Sequence, residues 1–184
     1  MVSITCIMKT TLLCAIAAFL FVNTAFTQSK VAPIEKKPLN AEELSKKKCY
    51  YTMEEALATP LDVYKLSLAG TKMDSLSEDI AQFVNLQELN LNNCGLKSIP
   101  DTLGTLTNLE VINLTKNKLR TLPKSFRNLH HLETLYLGKN RFTEIPVWIG
   151  GVGRLKRLDI SRNPITPLEL SNIRTLLPKA EITY

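Results

Sequence analysis

The sequence predicts an α/β fold: a solenoid of stacked units with a parallel sheet along one side and a cap at each end. Three observations carry this. First, the chain superimposes on itself at an offset of 23 residues. Val63, Leu86, Leu109, Leu132 and Leu155 form one column, Leu66, Leu89, Ile112, Leu135 and Leu158 the next, and Leu68, Leu91, Leu114, Leu137 and Ile160 a third. Second, two more apolar columns keep this register without an insertion: Met73, Leu96, Leu119, Phe142, Ile165, and then Leu76, Ile99, Leu122, Ile145, Leu168. Third, the apolar positions in the first half of each unit alternate with period two, which suits a short strand with one buried face. The second half is too short for a long helix and carries Pro100, Pro123 or Pro146 near its start, so an irregular or 3₁₀ segment should return the chain to the next strand.

One such unit buries too little apolar surface to offset the ordering of its own backbone, so the units must stack. They are 63–85, 86–108, 109–131, 132–154 and 155–177. Their pattern L-x-x-L-x-L-x-x-N-x-L, as in Leu109 to Leu119, resembles the leucine-rich repeat family in its 23-residue form with Leu-Pro, in an exported bacterial form; the resemblance covers Val63 to about Leu177 and implies a right-handed solenoid bent into a short horseshoe. The resemblance implies that the ninth column, Thr71, Cys94, Asn117, Asn140 and Asn163, bonds the backbone of neighbouring units. Thr71 and Cys94 are poorer partners than Asn, so this ladder is expected to weaken in the first two coils.

Ahead of the repeats, Lys9, the apolar run Leu12 to Val22 and the small or polar residues after it predict a signal peptide over 1–27, cut before Gln28. The apolar run is shorter than the ~20 residues of a spanning helix, and translation is expected to start at Met8. Residues 28–48 are rich in charge and proline and are expected to form a flexible tether. Residues 49–62 form an N-terminal cap, because Thr52-Met53-Glu54-Glu55 opens a short helix that Pro60 halts. At the other end, Thr166-Pro167-Leu168-Glu169 opens a helix with Leu170, Ile173, Leu176 and Leu177 on one side, which Pro178 ends. Residues 178–184 then close the sheet with an edge strand. Cys49 and Cys94 remain after cleavage and form a candidate disulfide, although either thiol also suits plain packing.

Chemical motifs are sparse. His130 and His131 are the only histidines, lack carboxylate or thiol companions at metal-ligand spacing, and are expected to be solvated. Gly150-Gly151-Val152-Gly153 lacks the flanking strand and helix of a phosphate loop and is expected to relieve crowding in a turn. Asn113-Leu114-Thr115 matches a glycosylation sequon by pattern alone. With both ends capped, little of the chain is left for a catalytic domain. No enzyme, cofactor or metal site is therefore predicted.

The strand alternation pushes a polar set onto the concave face. The candidate ligand-binding residues are Glu88, Val111, Thr134 and Arg157 in the third column and Asn90, Asn113, Tyr136 and Asp159 in the fifth. Tyr136 is the only aromatic among the outward strand positions and serves as the expected anchor inside a polar rim. Lys116, Lys139 and Arg162 in the eighth column add a positive track that would steer an acidic partner. The net charge of +6 is moderate and, without a nucleic-acid motif, does not call for nucleic acid. The sequence thus predicts a secreted, periplasmic or cell-surface monomer with no membrane span after processing. It would bind a protein, or a glycan, through its concave face; the alternatives are a structural spacer and, less favoured, the recognition subunit of an enzyme complex.

Overall fold

The computed structural model describes residues 37–184. The expected leader and residues 28–36 of the expected tether lie outside the described residues. Seven parallel strands pair in sequence order: β1 Cys49–Tyr50, β2 Lys65–Ser67, β3 Glu88–Asn90, β4 Val111–Asn113, β5 Thr134–Tyr136, β6 Arg157–Asp159 and β7 Glu181–Thr183. From β2 to β6 the partners are 23 residues apart, as in Lys65↔Glu88 and Thr134↔Arg157. The last step, Arg157↔Glu181, is one residue longer because a helix replaces the usual return.

In each repeat strand the middle residue, Leu66, Leu89, Ile112, Leu135 or Leu158, is buried while its neighbours face the concave side. The return segments contain 3₁₀ turns at Glu78–Gln82, Asp101–Thr105, Lys124–Asn128 and Val147–Gly151. Pro100, Pro123 and Pro146 precede the last three, held in the extended conformation that a following turn requires. Each turn buries one large apolar residue, Ile80, Leu103, Phe126 or Ile149, and the chain buries another, Phe83, Leu106, Leu129 or Val152, as it leaves. These two columns complete the core on the convex side. Successive returns lie so close that a Cβ on Gly104 would stand 2.3 Å from Ser125 Cβ and 2.5 Å from its carbonyl oxygen. Of the three glycines at 150–153 only Gly150 is crowded, since a Cβ there would stand 3.2 Å from Leu176 O; Gly151 and Gly153 face open space.

After each of the five repeat strands, β2 to β6, the chain turns through a residue in the left-handed region: Gly70 (φ 82), Asn93 (φ 58), Lys116 (φ 59), Lys139 (φ 56) and Arg162 (φ 55). The ninth-column side chain then reaches back. Asn117 Oδ1 accepts from the amides of Cys94 at 3.1 Å and Leu96 at 3.0 Å, and its Nδ2 donates to Leu91 O at 2.8 Å and Leu114 O at 2.9 Å. Asn140 and Asn163 repeat this toward Leu119 and Phe142. Cys94 supplies half of it: Sγ donates to Leu68 O at 3.1 Å, but it has no amide oxygen to hold coil one as Asn117 Oδ1 holds Cys94 N and Leu96 N. Burial raises the Cys94 thiol pKa, which keeps the donating proton in place. Cys49 and Cys94 are both free thiols, so no disulfide joins them.

A second ladder, unforeseen in the sequence, runs along the opposite edge of the sheet. Asn85 Nδ2 donates to Leu61 O at 2.7 Å and Asn108 Nδ2 to Val84 O at 2.9 Å. With its proton on Nδ1, His131 makes the same bond to Thr107 O at 3.0 Å. His131 is therefore a half-buried structural group rather than a solvated one, whereas His130 is exposed as expected.

The caps adjust three expectations. The stretch at 37–48 is not wholly a tether, because it forms helix α1, Ala41–Ser45, with a reciprocal capping box between Asn40 and Glu43 and with Leu44 buried. Gln87 pins the residue before it, accepting from Leu39 N and donating to Leu39 O, both at 2.9 Å. Cys49–Tyr50 adds a strand that alternation alone did not reveal. Helix α2, Met53–Leu57, starts behind Thr52 and inserts Ala56 into the core. Helix α3, Pro167–Leu176, starts behind Thr166 and buries Ile173. Leu168, placed by sequence in an inward column, is 74% exposed, since the helix rotates its first turn outward. Glu169 bonds Ile145 N at 3.1 Å and so ties the cap to the fourth coil.

Candidate functional site

The concave face carries the predicted binding residues in two straight rows. Strand pairing brings Glu88, Val111, Thr134 and Arg157 side by side, and Asn90, Asn113, Tyr136 and Asp159 beside them, at roughly 4.8 Å per strand. The two rows are not equally free to bind. Asn90, Asn113 and Asp159 each accept from the amide two residues on, at 3.1, 3.0 and 2.9 Å, and so begin the turn that follows the strand. The amide nitrogens of Asn90 and Asn113 are left as outward donors. Thr134 is 1% exposed, so it is not a surface contact as the alternation suggested. Its hydroxyl instead receives Arg157 Nε at 3.2 Å and Nη2 at 3.0 Å, which fixes the exposed guanidinium across the sheet.

A hollow of about 340 Å³ opens in the N-terminal half of this face. Glu88, Asn90, Val111, Asn113 and Tyr136 line it, joined by Lys65, Ser67, Cys49 and Tyr51. Sequence reading missed the last two, because they arrive on and just after β1, a strand outside the repeat. Tyr51 is 65% exposed and faces Tyr136 across four strand steps, so the hollow has an aromatic wall at each end and amide donors between. Arg157 and Asp159 lie beyond Tyr136 and do not line it.

A larger hollow of about 740 Å³ lies on the other side of the chain, between the 3₁₀ turn at Val147–Gly151 and α3. Trp148 lines it with two carboxylates, Glu144 and Glu169, of which Glu169 accepts from Ile145 N. At the strand starts, Gln87 Nε2 donates to Glu110 Oε1 at 2.9 Å. Burial raises the Glu110 pKa above the usual value of 4.5, and the Gln87 bond only partly opposes this.

Lys116, Lys139 and Arg162 stand on the rim above the concave face, all exposed. Their left-handed backbone disfavours any residue with a Cβ by roughly 1–2 kcal/mol, and Gly or Asn is the ordinary choice there. Three long cations at that position are thus a local departure from backbone preference. Among the described residues no group of three or more His, Cys, Asp or Glu side chains could hold a metal ion.

The leucine rich repeat family model matches residues 84–142 and again 123–165. This is a leucine-rich repeat protein. A leucine-rich repeat protein of Leptospira interrogans has a similar structure, with 35% identity, a TM-score of 0.68 and coverage of 73% of this chain and 34% of its own. TLR13, in its complex with ssRNA13, is 27% identical with a TM-score of 0.61, covering 72% of this chain and 20% of its own. An internalin of Listeria monocytogenes, 21% identical with a TM-score of 0.57 over 69% of this chain and 36% of its own, shares the fold. The chain spans about a third of the length of the Leptospira protein. No curated protein matches it. Leucine-rich repeat domains are generally protein-interaction modules, typically non-enzymatic binding scaffolds. Among the described residues no helix is long and apolar enough to cross a membrane.

Proposed function

We propose that this chain is an exported, non-enzymatic module that binds a protein partner, or a glycan, through its concave face. The observation that carries this reading is the hollow between Tyr51 and Tyr136. Two tyrosines supply contact area with few rotors to freeze, and the Asn90 and Asn113 amide donors, Lys65 and Glu88 supply a polar surround of both signs. Seven strands at roughly 4.8 Å each give a face about 30 Å across, wide enough for a partner patch of about 800 Å². Export is supported by the basic start and apolar run of residues 1–27. Mass spectrometry of extracellular fractions should find an N-terminus close to Gln28.

Capture with the processed chain, beside Tyr136→Ala and Arg157→Glu variants, tests the face. Tyr136→Ala should weaken the captured partner by more than about 1 kcal/mol while leaving the urea midpoint within error. A partner indifferent to both substitutions moves the site off the concave face.

A further inference from the structure

The ends of the strands form a basic rim with a gap in it. Lys116, Lys139 and Arg162 occupy one position in three successive coils, and Lys72, Lys118 and Arg141 stand two residues beyond that position in the first, third and fourth. All six are exposed, and none joins an ion pair among the described residues, where the four pairs use Lys46, Lys48, Lys97 and Lys156. Their spacing is held by the fold. Lys116 N bonds Gly138 O at 2.9 Å and Lys139 N bonds Ser161 O at 2.8 Å, and the three residues share φ of 55–59°. The side chains therefore leave the rim in parallel, one strand apart.

Coil two breaks the row. It carries Asn93 and Gly95 where the third coil has Lys116 and Lys118, and a notch of about 520 Å³ opens between Lys72 on one side and those two lysines on the other. Asp74 is its only carboxylate, and Lys97 at 2.9 Å neutralises it. Three unpaired cations thus surround a recess large enough for one anionic group, and a row of further cations leads away from it.

We propose that this rim binds an extended acidic peptide segment of a protein partner, with one carboxylate seated in the notch and others along Lys139 and Arg162. The proposal rests on the reading of the chain as a protein-binding module and names the chemistry of the segment it takes. From Lys72 to Arg162 the rim covers four strand steps, about 19 Å at ~4.8 Å each, which about six extended residues at ~3.3 Å would follow. Single-stranded nucleic acid needs successive aromatic faces for its bases. The rim offers no such succession: Phe142 is buried, and the exposed aromatic beside Arg162, Tyr184, stands at the far end of the row. Apart from Tyr184, the exposed large apolar side chains among the described residues, Tyr51, Leu61, Val147 and Leu168, are not rim residues, so the rim has no apolar face to enter a bilayer.

The test is fluorescence anisotropy with labelled hexaglutamate and the full chain, at low and at about 0.15 M salt. The triple variant Lys72→Gln/Lys116→Gln/Lys118→Gln should weaken binding at least tenfold. The charge-matched control Lys37→Gln/Lys124→Gln/Lys179→Gln should weaken it less than twofold, and so should Tyr136→Ala. Circular dichroism checks that each variant folds. An unmeasurable affinity for hexaglutamate, a smaller loss in the notch variant, or equal losses in both triples overturns the proposal. So does tighter binding of a single-stranded oligonucleotide or of anionic phospholipid vesicles than of hexaglutamate. Because Tyr136 lies outside the rim, failure here leaves the concave-face reading standing, and failure of Tyr136→Ala to affect a captured partner leaves this one.

Discussion

The first two coils and the last three are built from the same columns but are fastened differently. In the C-terminal group Asn117, Asn140 and Asn163 each clamp the turn of the coil before with a fully bonded amide. The N-terminal group has exposed Thr71 and one thiol, so coil one lacks the clamp and its Met73 amide turns to Cys94 O at 2.9 Å. The left-handed residue changes across the same boundary, from Gly70 and Asn93 to Lys116, Lys139 and Arg162. Both the concave hollow and the rim notch extend over the first two coils. The difference teaches that backbone cost and side-chain function have been separated. Gly70 stands in the coil-one turn that no asparagine clamps, whereas the costly Lys116 and Lys139 stand in turns that Asn140 and Asn163 hold.

The sharpest way to break this comparison is to empty its common core. Leu114 is fully buried in the central coil, and Leu114→Ala should destabilise the chain by roughly 2–5 kcal/mol in a urea titration. A smaller loss would mean that the coils do not depend on one continuous core. Next, Asn140→Ala orphans the buried Leu119 N and should cost about 1–3 kcal/mol, while Leu114 O and Leu137 O each keep a second donor in Asn117 and Asn163; Thr71→Ala should stay within about 0.5 kcal/mol. Equal effects would erase the distinction between the two groups.

Lys139→Asn probes the backbone cost itself. Asparagine tolerates φ 56 better than lysine, so the variant should gain up to about 1 kcal/mol in stability while binding hexaglutamate more weakly. Loss of both stability and binding would show that Lys139 is there for packing.

The smallest expected effect concerns Glu110, which lies next to Gln87 at the other edge. Its pKa is raised in the fold, so it binds its proton more tightly folded than unfolded. Its contribution is therefore present below the ordinary pKa of 4.5 and lost as pH rises through the raised value. At neutral pH the charged form is held unfavourably. Glu110→Gln should leave the urea midpoint at pH 7 unchanged or slightly higher, and should flatten the fall in stability just above pH 4.5. A lower midpoint would show that Gln87 favours the carboxylate by more than its burial disfavours it.

The repeat itself was legible because every inward position recurs at one spacing, and apolar burial depends on side-chain type and period alone. Leu66 through Leu158, the prolines before the 3₁₀ turns and the two cap helices were all readable on that basis. So was the Asn ladder, through the family pattern. The sequence by itself thus determined the number of coils, their register and which residues face the concave side. What those outward residues do was decided by the tertiary structure, because it depends on neighbours 23 or more residues away. Thr134 is buried under Arg157, His131 bonds the coil before it, and Gln87 holds Leu39 across 48 residues. Cys49 and Tyr51 join the hollow only because a strand outside the repeat pairs with β2, and Lys116, Lys139 and Arg162 reveal their backbone cost only as angles. Alternation says where a side chain points; only the packed neighbours say whether it remains free.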